Sequence, residues 1–309
     1  MKLRRPPAIA HGETFLALSP ASTPQKDRVE HGAAALRRLG YKVEFAAHAL
    51  DRSPLYFAGE PAERAADLSA AFAAKSNAAL ICNRGGYGSN YLLPLLNPDL
   101  LAENPKVLFG YSDITALQTW LLDRAGLPSF HGPMLAADFA RKDGVHSASF
   151  KAAIAGDLYA VGEPEGLQTL RRGTARGVLY GGCLSILAAS LGTPYAPDLR
   201  GKLLFLEDLA TRPYQVDRLL RQLILAGQLE GVTGIIFGEM LDCASPGAPD
   251  SLLKNVILHV LGDFSGPVAI GLRSGHVSRE NVTLTFGTKA VLNASNSAQL
   301  EFVEAATQK

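Results

Sequence analysis

Four short segments hold residues suited to polar chemistry. The first, Gly110-Tyr111-Ser112-Asp113, lies between the apolar run Val107 to Phe109 and a helical pattern with Ile114, Leu117 and Leu121 on one face. A strand, a turn and a helix are expected there. In an open parallel sheet such carboxyl-end turns border the ligand crevice. Ser112 is then either an exposed nucleophile with the following amides aimed at negative charge, or an ordinary helix cap whose hydroxyl satisfies a free amide. The residue two beyond it is Ile114, so the G-x-S-x-G elbow is absent. The second segment, Arg84-Gly85-Gly86-Tyr87-Gly88-Ser89, follows the buried-type strand ending at Cys82. Its glycines allow backbone amides to approach a phosphate or an oxyanion closely, or they simply make a turn. Neither G-x-G-x-x-G nor a following G-K-[ST] is present, which disfavours dinucleotide and P-loop readings.

The third segment places Glu207 and Asp208 at the end of the apolar strand Leu203 to Leu206. A carboxylate there can orient a histidine and stabilise the imidazolium formed when a serine gives up its proton. Acidic residues also commonly close strands or open helices. The fourth, Gly275-His276-Val277, lies in a polar loop with Ser274, Arg279, Glu280 and Asn281, and loops carry function disproportionately. Of the other histidines, His11, His31, His48, His146 and His259 fall in an N-terminal arm, helical patterns or polar connections. His131 is a packing or substrate-side residue without an obvious carboxylate partner. No H-E-x-x-H and no Cys-His spacing occurs, so neither a metal nor a cofactor is expected.

The elements that must position these groups alternate. Phe15 to Leu18 reads as a strand, and a helix with Val29, Ala33 and Leu36 on one face follows and ends at Gly40. Tyr41 to Ala46 is the next strand, Ala65, Leu68 and Phe72 mark a helix, and Ala78 to Cys82 and Val107 to Phe109 are strands. This β-α-β rhythm implies a parallel sheet covered on both faces. An N-terminal α/β domain is expected over 1–150, a polar, Gly-containing linker over 151–175, and a second, mixed α/β domain over 176–309. In the second half a helix carries Leu184, Leu187 and Leu191, and another opened by Pro213 carries Val216, Leu219, Leu220 and Leu223. The short alternating runs Val282 to Phe286, Ala290 to Leu292 and Leu300 to Val303 suggest a small antiparallel or barrel-like terminal unit.

Bulk properties narrow the partners. Hydrophobic residues make up 47% of the 309, enough for a substantial core. A formal charge of +1 gives no one-signed surface for nucleic acid or an anionic membrane. The basic opening is interrupted by Ala8-Ile9-Ala10-His11-Gly12-Glu13 before an apolar core of signal-peptide length, and no run approaches a membrane span. Cys82, Cys183 and Cys243 are odd in number and far apart, as expected of reduced cytoplasmic thiols. A small-molecule or peptide substrate is expected.

Taken in order, Arg84-Gly85-Gly86-Tyr87-Gly88-Ser89-Asn90, Gly110-Tyr111-Ser112-Asp113-Ile114-Thr115, Phe130-His131-Gly132-Pro133-Met134, Leu191-Gly192-Thr193-Pro194-Tyr195, Leu206-Glu207-Asp208 and Gly275-His276 resemble the LD-carboxypeptidase (muramoyltetrapeptide carboxypeptidase) family. The likeness runs from about residue 15 to 292. The resemblance implies a flavodoxin-like or amidotransferase-like first domain and a second, swivelling-barrel-like domain, both contributing to the active site. It implies Ser112 as nucleophile, His276 as base and then acid, Glu207 as the group holding the histidine, and the amides of Gly86 and Asp113 as oxyanion hole. It further implies release of the terminal D-alanine from cytoplasmic murein tetrapeptide in cell-wall recycling, without a cofactor and as a homodimer. Two positions depart from the family's usual Gly-Gly-Asn-Leu and Gly-His-Gly, namely Cys183 and Val277.

Two rival readings stand beside this. Microcin-immunity hydrolases resemble the same family and cleave an acyl-nucleotide conjugate, for which an aromatic side chain must stack the base; Trp120, the only tryptophan, falls in a core-type helix. A non-catalytic binding protein would use the Gly-rich turn for an anionic ligand, but it would not need serine, glutamate and histidine together.

Overall fold

Strand runs with no polar position need cover on both faces, and the first part of the chain supplies it. The computed structural model describes residues 3–245, 247, 249 and 251–309. In chain order, β1 (Thr14–Leu18), α1 (Lys26–Arg38), β2 (Lys42–Phe45), α2 (Pro61–Ala73), β3 (Ala79–Cys82), α3 (Pro98–Glu103), β4 (Val107–Gly110), α4 (Thr115–Trp120), β5 (Ser129–His131) and α5 (Ser147–Ala155) come first. They are followed by β6 (Ala160–Gly162), β7 (Gln168–Arg171), β8 (Gly173–Cys183), α6 (Leu184–Ala189), β9 (Lys202–Glu207), α7 (Pro213–Leu225), β10 (Gly234–Gly238), α8 (Leu252–Val260) and β11 (Val268–Leu272). The chain closes with β12 (Leu284–Phe286), β13 (Lys289–Ala294) and β14 (Ala298–Phe302).

These elements form two units. The first comprises Met1–Asp157, Arg279–Gly287 and Ala305–Lys309; the second comprises Leu158–Ser278 and Thr288–Glu304. In the first unit a six-stranded sheet has the order β12-β5-β4-β3-β1-β2. All neighbours are parallel except the edge pair β12 and β5. Every residue of β3 and β4 is buried, as unbroken apolar runs in a doubly covered sheet must be. Phe109 packs 4.7 Å from Phe130 and 5.5 Å from Phe150, ring centre to ring centre, and Phe15 joins them. Helix α2 opens with a Glu60/Glu63 capping box and Pro61 in its first turn, which supply the partners and the fixed φ that a helix start requires. Its buried stripe is Ala65, Leu68, Ala71 and Phe72, together with Arg64.

The second unit is an eight-stranded mixed sheet in the order β6-β14-β13-β8-β9-β10-β11-β7. Strands β8 to β11 run parallel, and β13, β14, β6 and β7 join antiparallel. Helix α7 places Val216, Leu220 and Leu223 in the core, the spacing of one helical face. The fold is thus mixed α/β with two sheets.

Three expectations are corrected. Residues 151–175 are not a linker: they hold the end of α5, strands β6 and β7 and the start of β8. Both strands lie at sheet edges and are partly exposed, so their sequences lack an apolar run. The terminal strands do not form a small unit of their own either. β12 pairs with β5 through Leu284 and His131, whereas β13 pairs with β8 through Lys289 to Ala294. Residues 279–287 and 305–309, expected in a second domain over 176–309, belong to the first unit.

Candidate active site

Strand β4 ends at Gly110, and the turn that follows brings Ser112 to the carboxyl edge of the first sheet. Ser112 has φ +64°, in the left-handed region that a non-glycine residue seldom occupies. Such strain at a strand-to-helix turn is typical of residues held for function. The cap reading of Ser112 does not hold, because the cap position of the short 3-10 turn Ser112–Ile114 is Tyr111. The serine instead lies within that turn.

The Gly-rich loop lies against the serine. A methyl group at Gly85 would sit 2.8 Å from Ser112 Cβ and 3.1 Å from its Oγ, so only glycine permits this approach. Gly86 follows with φ +109°, which orients its amide in a way side-chain-bearing residues resist. Farther along, the Ser89 amide donates to Asp113 Oδ2 at 2.8 Å, and its hydroxyl donates to the Asp113 carbonyl at 2.6 Å. Loop and serine turn are therefore joined at both ends. Burial pushes the Asp113 carboxyl above its ordinary value, and the hydrogen bonds from Ser89 and Gly88 oppose that shift.

In the second unit, β9 delivers Glu207 fully buried. Its Oε2 accepts the His276 amide at 3.1 Å and faces His276 Nδ1 at 2.7 Å. A carboxylate only accepts, so Nδ1 is the donor in this contact, and in the neutral imidazole the lone pair of a general base then belongs to Nε2. Gly275 makes room: at φ +91°, a methyl group there would sit 2.6 Å from Glu207 Cδ. Gly238 does the same for Glu207 Cβ. The neighbouring Asp208 takes another task, accepting the amides of Ser185 and Leu209 and the Thr211 hydroxyl, each at 2.9 Å. Of the two candidate carboxylates, Glu207 is thus the one that holds the imidazole.

The remaining candidates fall into place. His131 is buried in β5 with its ring 5.0 Å from Phe286, which makes it a packing residue. Trp120 is also buried. The left-handed turn before the histidine is made at Gly275, and Val277 is not among the residues of positive φ, so valine fits this loop. Cys183 lies opposite Glu207 in the β8/β9 register, with Sγ 3.3 Å from Ser185 Oγ. Among the described residues, no group of three or more His, Cys, Asp or Glu is placed to hold a metal, and no helix is long and apolar enough to cross a membrane.

Sequence reasoning missed two features. Tyr56, Tyr87 and Tyr91 form an exposed cluster around Phe57 beside the Gly-rich loop, with ring centres 4.5 to 6.1 Å apart. Arg64 is buried beneath that loop and donates to the carbonyls of Pro20 and Gly88.

Residues 15–132 match the model of the LD-carboxypeptidase N-terminal domain, and residues 176–292 match that of the LD-carboxypeptidase C-terminal domain. The chain belongs to the LD-carboxypeptidase family. Within it, a probable murein peptide carboxypeptidase of Bacillus subtilis is 36% identical, over 96% of this chain and 94% of its own. A crystal structure of muramoyltetrapeptide carboxypeptidase from Oxalobacter formigenes superposes with a TM-score of 0.84 at 28% identity, covering 94% of this chain and 99% of that one. The microcin C7 self-immunity protein MccF of Escherichia coli is 28% identical over 93% of this chain and 92% of its own. A structure of MccF as an inactive mutant without ligand reaches a TM-score of 0.90 at 26% identity, covering 99% of this chain and all of that one. LD-carboxypeptidase family members are peptidases, and both murein-directed and microcin-directed proteins are similar to this chain.

Proposed function

We propose that this chain is a serine carboxypeptidase that hydrolyses an L,D-peptide bond and releases the terminal D-alanine of cytoplasmic murein tetrapeptide during peptidoglycan recycling. The observation that carries this reading is the 2.7 Å contact between His276 Nδ1 and the fully buried Glu207 carboxylate. In the proposed reaction Ser112 Oγ attacks the scissile carbonyl carbon while His276 Nε2 takes its proton, and Glu207 stabilises the resulting imidazolium. The carbonyl oxygen becomes an oxyanion facing the amides of Gly86 and Asp113. Collapse of the intermediate expels D-alanine, protonated at nitrogen by His276, and leaves an acyl-serine. Water, deprotonated by the same imidazole, then releases the shortened peptide. A homodimer in the cytoplasm belongs to the same proposal.

Ser112→Ala should reduce D-alanine release from murein tetrapeptide by at least about 10³-fold while leaving the fold and tetrapeptide binding intact. Turnover retained in that variant would refute the assignment. A second reading is hydrolysis of an acyl-nucleotide conjugate, favoured by the exposed rings of Tyr56, Tyr87 and Tyr91, which offer a stacking surface. Incubation with murein tetrapeptide and with an aminoacyl-adenylate analogue separates the two. Release of D-alanine alone excludes the nucleotide reading, and cleavage of the analogue alone excludes the murein one.

A further inference from the structure

Arg64 is an unusual occupant for the inside of a helix-sheet interface. It is 1% exposed, and among the described residues only one nitrogen of its guanidinium is used: Nη1 donates to the Pro20 carbonyl at 2.5 Å and to the Gly88 carbonyl at 2.8 Å. Nε and Nη2 are buried with no hydrogen-bond partner among the described residues. The guanidinium lies 5.1 Å from the centre of the Phe57 ring. Burying a cation is costly unless its donors are satisfied, and replacing such a group by an apolar one of similar volume is often neutral for stability. Burial, the largest influence, pulls the Arg64 pKa down, and the charge of Asp113 opposes it. A core needing only volume here would be served better by methionine or leucine.

What the charged group contacts suggests why it is there. Gly88 and Asp113 lie on opposite sides of the join between the Gly-rich loop and the serine turn, and Arg64 acts on both. It holds the first by a hydrogen bond to its carbonyl and attracts the second by charge. Ser22 braces the other side of the loop, where its Oγ accepts the Tyr87 amide at 3.1 Å. Gly86, whose amide the proposed reaction uses and whose φ is +109°, directly precedes these two tied residues. We infer that Arg64 is a positioning residue, whose bond to the Gly88 carbonyl aims the Gly86 and Asp113 amides at the oxyanion of the transition state. It touches no substrate atom itself. The inference rests on the serine-carboxypeptidase reading and extends it.

Oxyanion donors act on the transition state rather than on bound substrate, so misaiming them lowers kcat and leaves ground-state affinity unchanged. Arg64→Met is expected to fold, as read by circular dichroism and thermal unfolding, and to lose about 10- to 100-fold in kcat with KM within about twofold. Its affinity for a boronic-acid analogue of the tetrapeptide, with boron in place of the scissile carbonyl carbon, should fall by the same factor as kcat/KM. Tetrapeptide binding, measured in a Ser112→Ala background, should not change. Arg64→Lys, which keeps the charge and a donor, should recover part of the loss, and it decides by the same measurements if the methionine variant does not fold. A folded variant with the parent's kcat, or one whose boronate and tetrapeptide affinities fall together, overturns the inference. If the parent itself releases D-alanine undiminished by Ser112→Ala, the underlying reading fails, whatever the Arg64 variants do.

Discussion

Gly275 has little latitude for change. Its φ of +91° and the 2.6 Å that a methyl group would have to Glu207 Cδ add a steric clash to a conformational penalty. Gly275→Ala should therefore cost about 1–3 kcal/mol in denaturant unfolding. It should lower kcat more than that loss of folded protein explains, because the displaced group is the carboxylate that orients His276. An alanine variant with the parent's kcat would contradict this. Single residues were unevenly legible in the sequence. Residue types and spacing alone do not join Ser112, Glu207 and His276, which only the family resemblance links, and nothing in a serine codes for the left-handed φ that Ser112 adopts. Asp208 competed with Glu207 because adjacent strand-end residues differ in side-chain direction, which a lone sequence does not display. Arg64 leaves a usable trace in the sequence: it stands four residues before Leu68 and seven before Ala71, a charge on the apolar stripe of α2.

Elements whose burial is uniform were the easiest to read. β3, β4 and β9 are buried along nearly their whole length and match apolar runs directly. β6 and β7 resemble a linker in sequence because edge strands bury only part of their residues, and the pairing of β12 is hidden because its partner β5 lies about 150 residues earlier, a distance over which hydrophobic pattern specifies no pairing. One tie between elements is set by pH. Asp67 of α2 accepts the His48 amide through Oδ2 and faces its Nδ1 through Oδ1, both at 2.9 Å, pinning the chain that follows β2. The hydrogen bond to Asp67 raises the His48 pKa, supported by the charges of Asp67, Glu63 and Asp51 and opposed by burial. A raised folded-state value means that the stabilisation is complete below the ordinary histidine pKa of about 6.5 and is lost as pH climbs through the folded one. Urea unfolding of the parent and of His48→Gln over that range should give midpoints that converge as pH rises. A gap that stays constant would show that the charge contributes nothing.

At the scale of the molecule, the chain enters the second unit after Asp157, returns to the first for residues 279–287, and returns again for 305–309. Residues 1–157 expressed alone should lack a cooperative thermal transition and should aggregate. They carry β5 with the edge that β12 normally covers left open, and exposed edges recruit other strands. Size-exclusion chromatography and calorimetry test this, and a monomer with a sharp transition would disprove it. The Ala8 amide donates to the Gln308 carbonyl at 2.6 Å, and the Gln308 amide returns a bond to the Pro6 carbonyl at 2.8 Å. A ribosome supplies residues in order, so Pro6 and Ala8 wait for Gln308 until all the chain between them has been made. The unit that holds the serine turn is therefore closed only after residues 158–278 and 288–304 of the other unit have been made.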